Sequence, residues 1–218
     1  VANRVLAAFP AAFGKKAGLV GNPVRADIVA VPSPESRFAG RTGALRLLVV
    51  GGSLGAQALN EFIPQAVATM PADKRPQIIH QAGVKHIDAL NENYKKAGVT
   101  AETRAFIDDM ASMYAWADFV ICRSGALTVA EISVVGLGSL MVPFPHAVDD
   151  HQTTNALYLV ESGAAFLVQQ KALSVETLAG IISGLGRDEC LSMAIKAKML
   201  GKPKATVDVA KICMEAAL

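Results

Sequence analysis

Short apolar runs alternate with longer segments of helical spacing along most of the chain. A continuous apolar run such as Leu45–Val50 is typical of a strand that helices cover on both faces. The other predicted strands are Gln77–Gln81, Thr103–Phe106, Asp118–Cys122, Ser139–Phe144 and Ala164–Val168. The predicted helices are Gln57–Thr69, Lys85–Lys96, Asp109–Trp116, Leu127–Val135, His151–Glu161, Val175–Leu185, Glu189–Leu200 and Lys204–Leu218. This alternation predicts an α/β fold with a parallel sheet and right-handed crossovers.

The two ends of the chain depart from the alternating pattern. Residues 1–24 contain the apolar run Val5–Phe9 but no helix that would cover its sheet, so we interpret them as a remnant of a preceding domain and a linker. The stretch 31–43 is rich in Pro, Ser, Gly and Arg and is predicted to be a loop. We place the body of the fold at 25–203 and expect the terminal helix at 204–218 to pack toward the preceding domain.

Composition and charge exclude several classes of protein. Hydrophobic residues make up 52% of the 218 residues, so the chain has a large core and is not disordered. The net charge of +2 gives no case for binding nucleic acid. No apolar run approaches the roughly 18 residues of a membrane span. The cysteines Cys122, Cys190 and Cys213 lie too far apart for a disulfide framework or a zinc site, which fits a reducing cytoplasm.

The sequence GGSLGA, Gly51–Ala56, follows a predicted strand and opens a helix. Glycines at such a turn let a phosphate approach backbone N–H groups and the positive end of the helix. The motif has no GK[ST] of a Walker loop, and Ser53 stands where a dinucleotide fingerprint has its second glycine. The acid that would bind an adenosine ribose is also missing, because the next strand ends in His80 and Gln81. The motif predicts either a phosphate loop or a helix that Ser53 caps.

A second strand-to-helix junction carries RSGALTVAE, Arg123–Glu131. Gly125 permits a ligand to approach the backbone closely, and Glu131 lies about one turn into the predicted helix. A carboxylate accepts two hydrogen bonds, which suits the vicinal diol of a ribose. Thr128 and Glu131 also have the spacing of a capping box, and the spacing alone favours that interpretation.

Polar side chains crowd a third junction, PFPHAVDDHQTTNA, Pro143–Ala156. Side-chain amides donate and accept hydrogen bonds at once, so this stretch suits sugar hydroxyls. Its two histidines and two aspartates match no metal-ligand spacing, and no metal is assigned. Asp149 and Gln152 alternatively form a capping box.

Two shorter motifs complete the set. Arg25, at the end of GNPVR, could place its guanidinium on a phosphate or could be an ordinary surface arginine. FIDDM, Phe106–Met110, is a strand-to-helix junction with Asp108 or Asp109 as the cap. Because the carboxyl ends of parallel strands share one crevice, a phosphate loop, a diol acceptor and an amide cluster meet there. That combination is typical of a nucleotide-sugar site.

Five stretches together resemble the carboxyl-terminal half of the MurG family, bacterial N-acetylglucosaminyltransferases that make the peptidoglycan precursor lipid II. They are GNPVR, GGSLGA, FIDDM, ADFVICRSGALTVAE and VPFPHAVDDHQTTNA, in the family's order, and they span residues 21–156. The resemblance implies a Rossmann-like parallel sheet with helices on both faces, forming the donor half of a two-domain GT-B enzyme. The amino-terminal half would supply the general base, the lipid I acceptor site and the contact with the membrane.

The resemblance also implies roles for individual residues. Arg25 resembles the arginine that contacts the diphosphate, and Ser53 with the amides of its loop resembles the rest of the phosphate cradle. Ile107 resembles the residue whose backbone reads the uracil edge, Glu131 the acceptor of the ribose hydroxyls, and Gln152 a glutamine that contacts the sugar. The full implied donor site is Arg25, Gly52, Ser53, Leu54, Gly55, Ile107, Ala126, Leu127, Thr128, Glu131, His151 and Gln152. At His151 some members have a second glutamine.

The implied reaction is one inverting displacement, in which the C4 hydroxyl of the acceptor attacks the anomeric carbon of UDP-N-acetylglucosamine and UDP leaves. Loop amides, a helix N-terminus and Arg25 would stabilise the departing diphosphate, so no metal or other cofactor is expected. The chain alone is expected to bind UDP-N-acetylglucosamine and UDP, to transfer no sugar, and to self-associate through apolar surface at Val5–Phe9 and Val207–Met214. The complete enzyme would be cytoplasmic, peripheral on the inner membrane.

Three alternatives stay open. Another two-domain enzyme acting on UDP-sugars, such as an epimerase, would share the phosphate loop and the ribose acceptor. A non-catalytic nucleotide-binding or interaction module would need no reacting groups at all. A dinucleotide oxidoreductase is the least favoured, because Ser53 and Gln81 depart from its fingerprint.

Overall fold

A computed structural model describes residues 4–10, 17–52 and 55–216. Two short strands near the amino terminus, β1 (Leu6–Ala7) and β2 (Gly18–Leu19), pair in parallel. The main sheet contains β3 (Arg46–Val50), β4 (Gln77–Gln81), β5 (Glu102–Arg104), β6 (Phe119–Cys122), β7 (Gly138–Met141) and β8 (Ala165–Leu167). These six strands are all parallel and lie in the order β5-β4-β3-β6-β7-β8. The predicted parallel sheet is confirmed, and its six predicted strands are present with somewhat different ends.

Helices cover both faces of the main sheet. They are α1 (Ala26–Val29), α2 (Pro34–Phe38), α3 (Gln57–Ala68), α4 (Ile87–Ala97), α5 (Met110–Trp116), α6 (Ala126–Val135), α7 (His151–Val160), α8 (Val175–Gly184), α9 (Arg187–Leu200) and α10 (Ala205–Ala216). Helices α3, α4 and α8 pack into one hydrophobic core, whereas α1, α5, α6 and α7 pack into a second core on the opposite face. Helix α9 contributes to both cores.

The strands alternate their side chains between these two cores. On β3, Leu47 and Val49 point into the first core and Leu48 into the second, and none of the three is more than 2% exposed. Burial of one such side chain contributes roughly 1.5–3 kcal/mol. The continuous apolar run that predicted a strand covered on both faces therefore has the expected structural cause.

The order of the strands creates a crevice at their carboxyl ends. β3 and β6 are neighbours, with Val50 opposite Cys122. From β3 the chain passes through α3 to β4 on one side, and from β6 it passes through α6 to β7 on the other side. Ligands of open α/β sheets bind at such a reversal.

The predicted loop at 31–43 is wrong over Pro34–Phe38, which forms α2. Ser33 occupies its N-cap position, where the hydroxyl oxygen accepts a hydrogen bond of 3.4 Å from the Ser36 N–H. Proline at the first helical position after a serine is a signal for a helix start, because proline needs no N–H partner there. Helix α2 buries Arg37, which donates hydrogen bonds to the carbonyls of Val135 and Gly136.

The amino-terminal segment packs on the body more closely than the sequence predicts. Phe9 is only 5% exposed and lies 5.2 Å from the ring of Tyr158, so the expectation of an exposed run at 5–9 is wrong for this residue. Val5, Val207 and Met214 are 37%, 67% and 65% exposed, respectively. Across the described ranges, no helix has both the length and the apolar character that a membrane span requires.

Candidate donor-binding site

The glycine-rich loop after β3 lies against the end of β4. Gly52 and Gly55 have positive φ values of 82° and 76°, and a Cβ atom on Gly55 would come within 2.3 Å of the Ala82 carbonyl oxygen. Only glycine fits this approach. Gln81 Nε2 donates a 3.3 Å hydrogen bond to the Gly52 carbonyl, and Asn60 Nδ2 donates one of 3.1 Å to the Ala82 carbonyl. These contacts hold the described part of the loop beside the strand ends.

Helix α3 begins directly after this loop without a side-chain cap. Its N-cap residue is Ala56, whose carbonyl accepts the first helical hydrogen bond from the Asn60 N–H. The N–H groups of the first helical turn therefore have no carbonyl partner within the helix and are available to an anion. Ser53 and Leu54, which were predicted to contribute to the phosphate cradle, lie outside the described residues, and their roles stay predictions.

Helix α6 offers a second uncapped N-terminus, directly after β6. Gly125 is its N-cap residue, and the first helical hydrogen bond runs from the Val129 N–H to the Gly125 carbonyl at 3.0 Å. The predicted capping box of Thr128 and Glu131 is wrong, because Thr128 lies inside the helix instead of at its cap. The first-turn N–H groups, of Ala126, Leu127 and Thr128, lack helical carbonyl partners.

Glu131 is held by a contact that the sequence did not suggest. The Tyr114 hydroxyl on α5 donates a 2.9 Å hydrogen bond to Glu131 Oε2 on α6. Burial raises the pKa of Glu131, while this hydrogen bond and the nearby charge of Arg25 lower it. Burial and the Glu131 charge together raise the pKa of Tyr114 well above its ordinary value, so its hydroxyl stays a donor. A half-buried carboxylate with one oxygen fixed in this way can accept hydrogen bonds from a diol.

Arg25 acts on this carboxylate through its charge. It occupies the N-cap position of α1, which packs on α5 and α6. Its side chain is 53% exposed, and its Nε atom lies 3.9 Å from Asp27 Oδ1. The positive charge of Arg25 lowers the pKa of both Glu131 and Asp109. The guanidinium is thus half-exposed, only loosely paired, and near enough to the diol acceptor for its charge to lower the pKa of that carboxyl.

The side chain of Ile107 packs in the core that also contains Tyr114. Ile107 is 4% exposed. Among the residues that the structure describes, neither its N–H nor its carbonyl takes part in a backbone–backbone hydrogen bond. Asp109 is the cap of α5, accepting a 2.9 Å hydrogen bond from the Ser112 N–H, which decides between the two predicted candidates, Asp108 and Asp109.

The polar junction after β7 places Gln152 differently from its predicted cap. Gln152 Oε1 accepts a 2.9 Å hydrogen bond from the Phe144 N–H. The N-cap residue of α7 is Asp150, which makes no side-chain cap bond, so the predicted capping box of Asp149 and Gln152 is wrong. Both aspartates have φ of 50°, a conformation that costs a non-glycine residue about 1–3 kcal/mol. His151 is exposed at the first position of α7.

Arg123 received no role from the sequence, yet it connects three strand ends. Its Nη1 atom donates to the carbonyls of Val142 and Pro143 at 3.1 and 3.0 Å, and its Nη2 atom donates to Gln170 Oε1 at 2.6 Å. Its guanidinium lies 5.7 Å from the centre of the Phe144 ring. The position of Arg123 at the end of a buried strand, inside a motif that enters a ligand crevice, was the available signal.

The described residues contain no group of three or more His, Cys, Asp or Glu side chains placed to hold a metal ion. The structure does join Tyr114 to Glu131 by a hydrogen bond and places Ile107 in the same core as Tyr114. The charge of Arg25 acts on both Tyr114 and Glu131, and the uncapped start of α6 lies about one turn from Glu131. Gln152 is bonded to Phe144, which follows the carboxyl end of β7, and β7 is the neighbour of β6 in the sheet.

Comparison with known proteins agrees with this geometry. Residues 46–209 match the model of the glycosyltransferase family 28 C-terminal domain. The chain belongs to this family. The family 28 chain is 59% identical over 225 residues to the UDP-N-acetylglucosamine--N-acetylmuramyl-(pentapeptide) pyrophosphoryl-undecaprenol N-acetylglucosamine transferase of Aromatoleum aromaticum, a match that covers the whole chain and 63% of that relative. It is 57% identical over 217 residues to the transferase of the same name from Burkholderia mallei, covering 98% of the chain and 59% of the relative. The chain therefore spans about three fifths of the length of these relatives.

Solved structures show the same fold. The crystal structure of Acinetobacter baumannii MurG superposes with a TM-score of 0.90 at 37% identity, covering 99% of the family 28 chain and 61% of that protein. WaaG, a glycosyltransferase involved in lipopolysaccharide biosynthesis, superposes with a TM-score of 0.63 at 15% identity over 90% of the chain and 56% of WaaG, and shows the fold alone. The predicted fold class, one Rossmann-like half of a GT-B glycosyltransferase, is confirmed, as is the resemblance to MurG.

Proposed function

We propose that this family 28 domain binds UDP-N-acetylglucosamine as the donor for an inverting transfer of N-acetylglucosamine to the C4 hydroxyl of lipid I. The observation that carries the proposal is the Glu131 carboxylate, which Tyr114 fixes about one turn from the uncapped start of α6 and on which the charge of Arg25 acts. These groups together provide a carboxylate that can accept hydrogen bonds from a diol, and a cation and backbone N–H donors that can bind phosphate. The names of the transferases to which the chain is similar support the same donor.

Each part of the donor has a proposed partner. The ribose hydroxyls donate to Glu131, and the uracil edge meets the backbone of Ile107, whose polar groups make no backbone–backbone bond to any residue that the structure describes. Arg25, close to the ribose acceptor, reaches the phosphate next to the ribose. The sugar lies toward Gln152 and His151, at the neighbouring strand end.

The contribution of these groups to the reaction is electrostatic. When the glycosidic bond breaks, negative charge accumulates on the departing UDP. N–H groups at the start of α6, at Ala126–Thr128, are already oriented, and a guanidinium adds a full positive charge. Preorganised donors of this kind stabilise the developing charge without reorganisation, so this step needs no metal. Gly52, Ser53, Leu54 and Gly55 are proposed to contribute further N–H groups.

The remaining parts of the reaction are proposed to lie in the portion of the relatives that this chain does not match. That portion would supply the general base, bind the lipid I acceptor and contact the membrane surface, with the complete enzyme peripheral on the cytoplasmic face of the inner membrane. Residues 25–203 are proposed as the donor-binding unit, with 1–24 and 204–218 as segments that face the other domain.

Calorimetric titration tests the donor proposal. UDP-N-acetylglucosamine and UDP are expected to bind one shared site, and NAD⁺ is expected not to compete with them. Absence of binding by both uridine ligands would favour a non-catalytic interaction module. Conversion of UDP-N-acetylglucosamine alone into a second sugar nucleotide would favour an epimerase.

A transfer assay tests the division of labour. The chain alone is expected to transfer no radiolabelled sugar to a soluble lipid I analogue, while Acinetobacter baumannii MurG serves as the positive control. Holding two reactants in the reacting geometry lowers the activation barrier by about 7–11 kcal/mol. A single domain forms only one side of the cleft and cannot hold both reactants in this way. Turnover by the chain near the control rate would place the base within these residues.

The isolated chain is also proposed to self-associate through the exposed apolar side chains of Val5, Val207 and Met214. Sedimentation velocity at increasing concentration measures this association. A strictly monomeric profile at high concentration would contradict the proposed self-association.

A further inference from the structure

The side chain of Arg123 ties the ends of β6, β7 and β8 together. It follows the last residue of β6, and its Nη1 atom donates to the two carbonyls that follow β7, those of Val142 and Pro143, at 3.1 and 3.0 Å. Its Nη2 atom donates to Gln170 Oε1, just beyond β8, at 2.6 Å. A planar guanidinium can make these three bonds in two directions at once, whereas an ammonium group cannot reproduce the arrangement.

The segment that Arg123 holds is also the one that orients Gln152. The Phe144 ring lies 5.7 Å from the Arg123 guanidinium, and the Phe144 N–H donates to Gln152 Oε1 at 2.9 Å. A backbone N–H only donates, so it must meet the amide oxygen and not the amide nitrogen. Gln152 therefore keeps its oxygen on the protein, and no residue in the described ranges accepts a hydrogen bond from its NH2 group, which is available to a ligand.

We propose that Arg123 is a positioning residue for the sugar end of the donor. It fixes the segment from Val142 to Phe144, and through the Phe144 N–H it fixes the amide of Gln152, so that the Gln152 NH2 group donates to an oxygen of the sugar in a nucleoside diphosphate sugar. Arg123 itself touches no substrate. This inference rests on the proposed function, because Gln152 must face the sugar of the bound donor.

The proposal predicts that Arg123 affects the affinity for UDP-N-acetylglucosamine but not the affinity for UDP. UDP carries the uridine and the phosphates but no sugar, so its binding should not depend on Arg123. UDP-N-acetylglucosamine carries the sugar, so its binding should. Arg123→Lys keeps the positive charge but loses the fork that joins three strand ends, and it is expected to weaken binding of UDP-N-acetylglucosamine by about tenfold while changing that of UDP by less than about twofold.

Arg75→Lys is the matched control. Arg75 also donates three hydrogen bonds, all to backbone carbonyls (those of Ala68, Met70 and Gly98), but it lies just before β4, at the opposite end of the sheet. Its replacement should lower stability in the same way without altering the ratio of the two affinities. A second comparison uses Gln152→Ala: adding Arg123→Lys to this variant should produce no further loss, because both act through one amide.

A ligand-free measurement keeps the test independent of the proposed function. Amide hydrogen exchange at Phe144 should become at least tenfold faster in Arg123→Lys and stay unchanged in Arg75→Lys. The proposal is overturned if Phe144 exchange is unaffected, if both ligands lose affinity equally, or if the losses from Arg123→Lys and Gln152→Ala simply add. If the unaltered chain binds neither ligand, the proposed function fails, and the exchange result still decides whether Arg123 positions the loop.

Discussion

The Tyr114 hydroxyl lies 2.9 Å from Glu131 Oε2 and is the contact that joins α5 to the carboxylate at the centre of the candidate site. Both side chains come from helices that follow separate strands, and 17 positions separate them in the chain. Because burial keeps Tyr114 protonated, the hydrogen bond always runs from the phenol to the carboxylate. It therefore orients Glu131 and also favours its ionised form.

Tyr114→Phe is expected to move the pH dependence of nucleotide binding. Burial already raises the pKa of Glu131, and the Tyr114 hydrogen bond opposes that rise. Removing the hydroxyl raises the pKa of Glu131 further. As the pH falls, the Glu131 carboxylate therefore becomes protonated at a higher pH in the variant than in the unaltered chain. UDP affinity measured by calorimetry between pH 8 and pH 5 should thus begin to fall earlier in the variant.

Tyr158→Phe is the control for this shift. The Tyr158 hydroxyl donates to the Leu200 carbonyl at 2.7 Å and not to Glu131. Its loss should leave the pH profile of UDP binding in place. Identical profiles for Tyr114→Phe and the unaltered chain would show that the phenol does not govern Glu131.

Arg25→Ala is expected to weaken UDP binding by about 1.5–3 kcal/mol, the usual contribution of a hydrogen bond to a charged group. The cost to folding should be small, because the side chain is 53% exposed and its carboxylate partner lies 3.9 Å away. Arg4→Ala serves as control, since Arg4 is equally exposed and pairs with Glu215 on α10. Equal UDP affinity in both variants at low salt would exclude Arg25 as a ligand.

Asp118→Asn is expected to destabilise the fold by about 3–5 kcal/mol, because it leaves two partly buried cations without their buried anion. Asp118 is fully buried, pairs with Arg41 and Arg187, and accepts a 3.0 Å hydrogen bond from the Arg46 N–H. Glu92→Gln removes a pair in which both side chains are more than half exposed, and should cost under about 0.5 kcal/mol. Denaturant titration compares the two, and a similar small loss in both would contradict the assignment.

His80 is expected to make the fold less stable in acid. Burial lowers its pKa from 6.5 to about 3, and its Nδ1 atom lies 2.9 Å from the Tyr94 hydroxyl. Between these two values the unfolded chain binds a proton that the folded chain excludes, so stability falls as the pH falls. The slope is about 1.4 kcal/mol per pH unit. His80→Asn should therefore lose less stability than the unaltered chain between pH 7 and pH 5, and equal losses would contradict this account.

The sequence predicts the central strands well, because burial on both faces produces a continuous apolar run, as on β3 and β6. It predicts helix starts less well. The capping boxes at Thr128 and Asp149 have the right spacing, but α6 and α7 begin at positions that leave those residues off the cap. Neither box could be excluded from spacing alone, because the start of a helix depends on where the preceding strand ends.

Side-chain contacts between distant segments could not be predicted from sequence patterns. The bond from Tyr114 to Glu131 and the bonds from Arg123 to Val142 and Pro143 join elements that only the folded sheet brings together. No periodicity or motif encodes them. The candidate site could be located from glycines and carboxylates at strand ends, but the groups that orient it could not.

The most direct test of the central claim compares UDP with 2′,3′-dideoxy-UDP on the unaltered chain and on Glu131→Gln. If the Glu131 carboxylate accepts the ribose hydroxyls, the unaltered chain binds UDP about tenfold or more tightly than the dideoxy analogue. Glu131→Gln should lose most of that preference, with little change in affinity for the analogue. Equal losses of affinity for both ligands in Glu131→Gln would contradict the claim and would leave Glu131 a structural partner of Tyr114 alone.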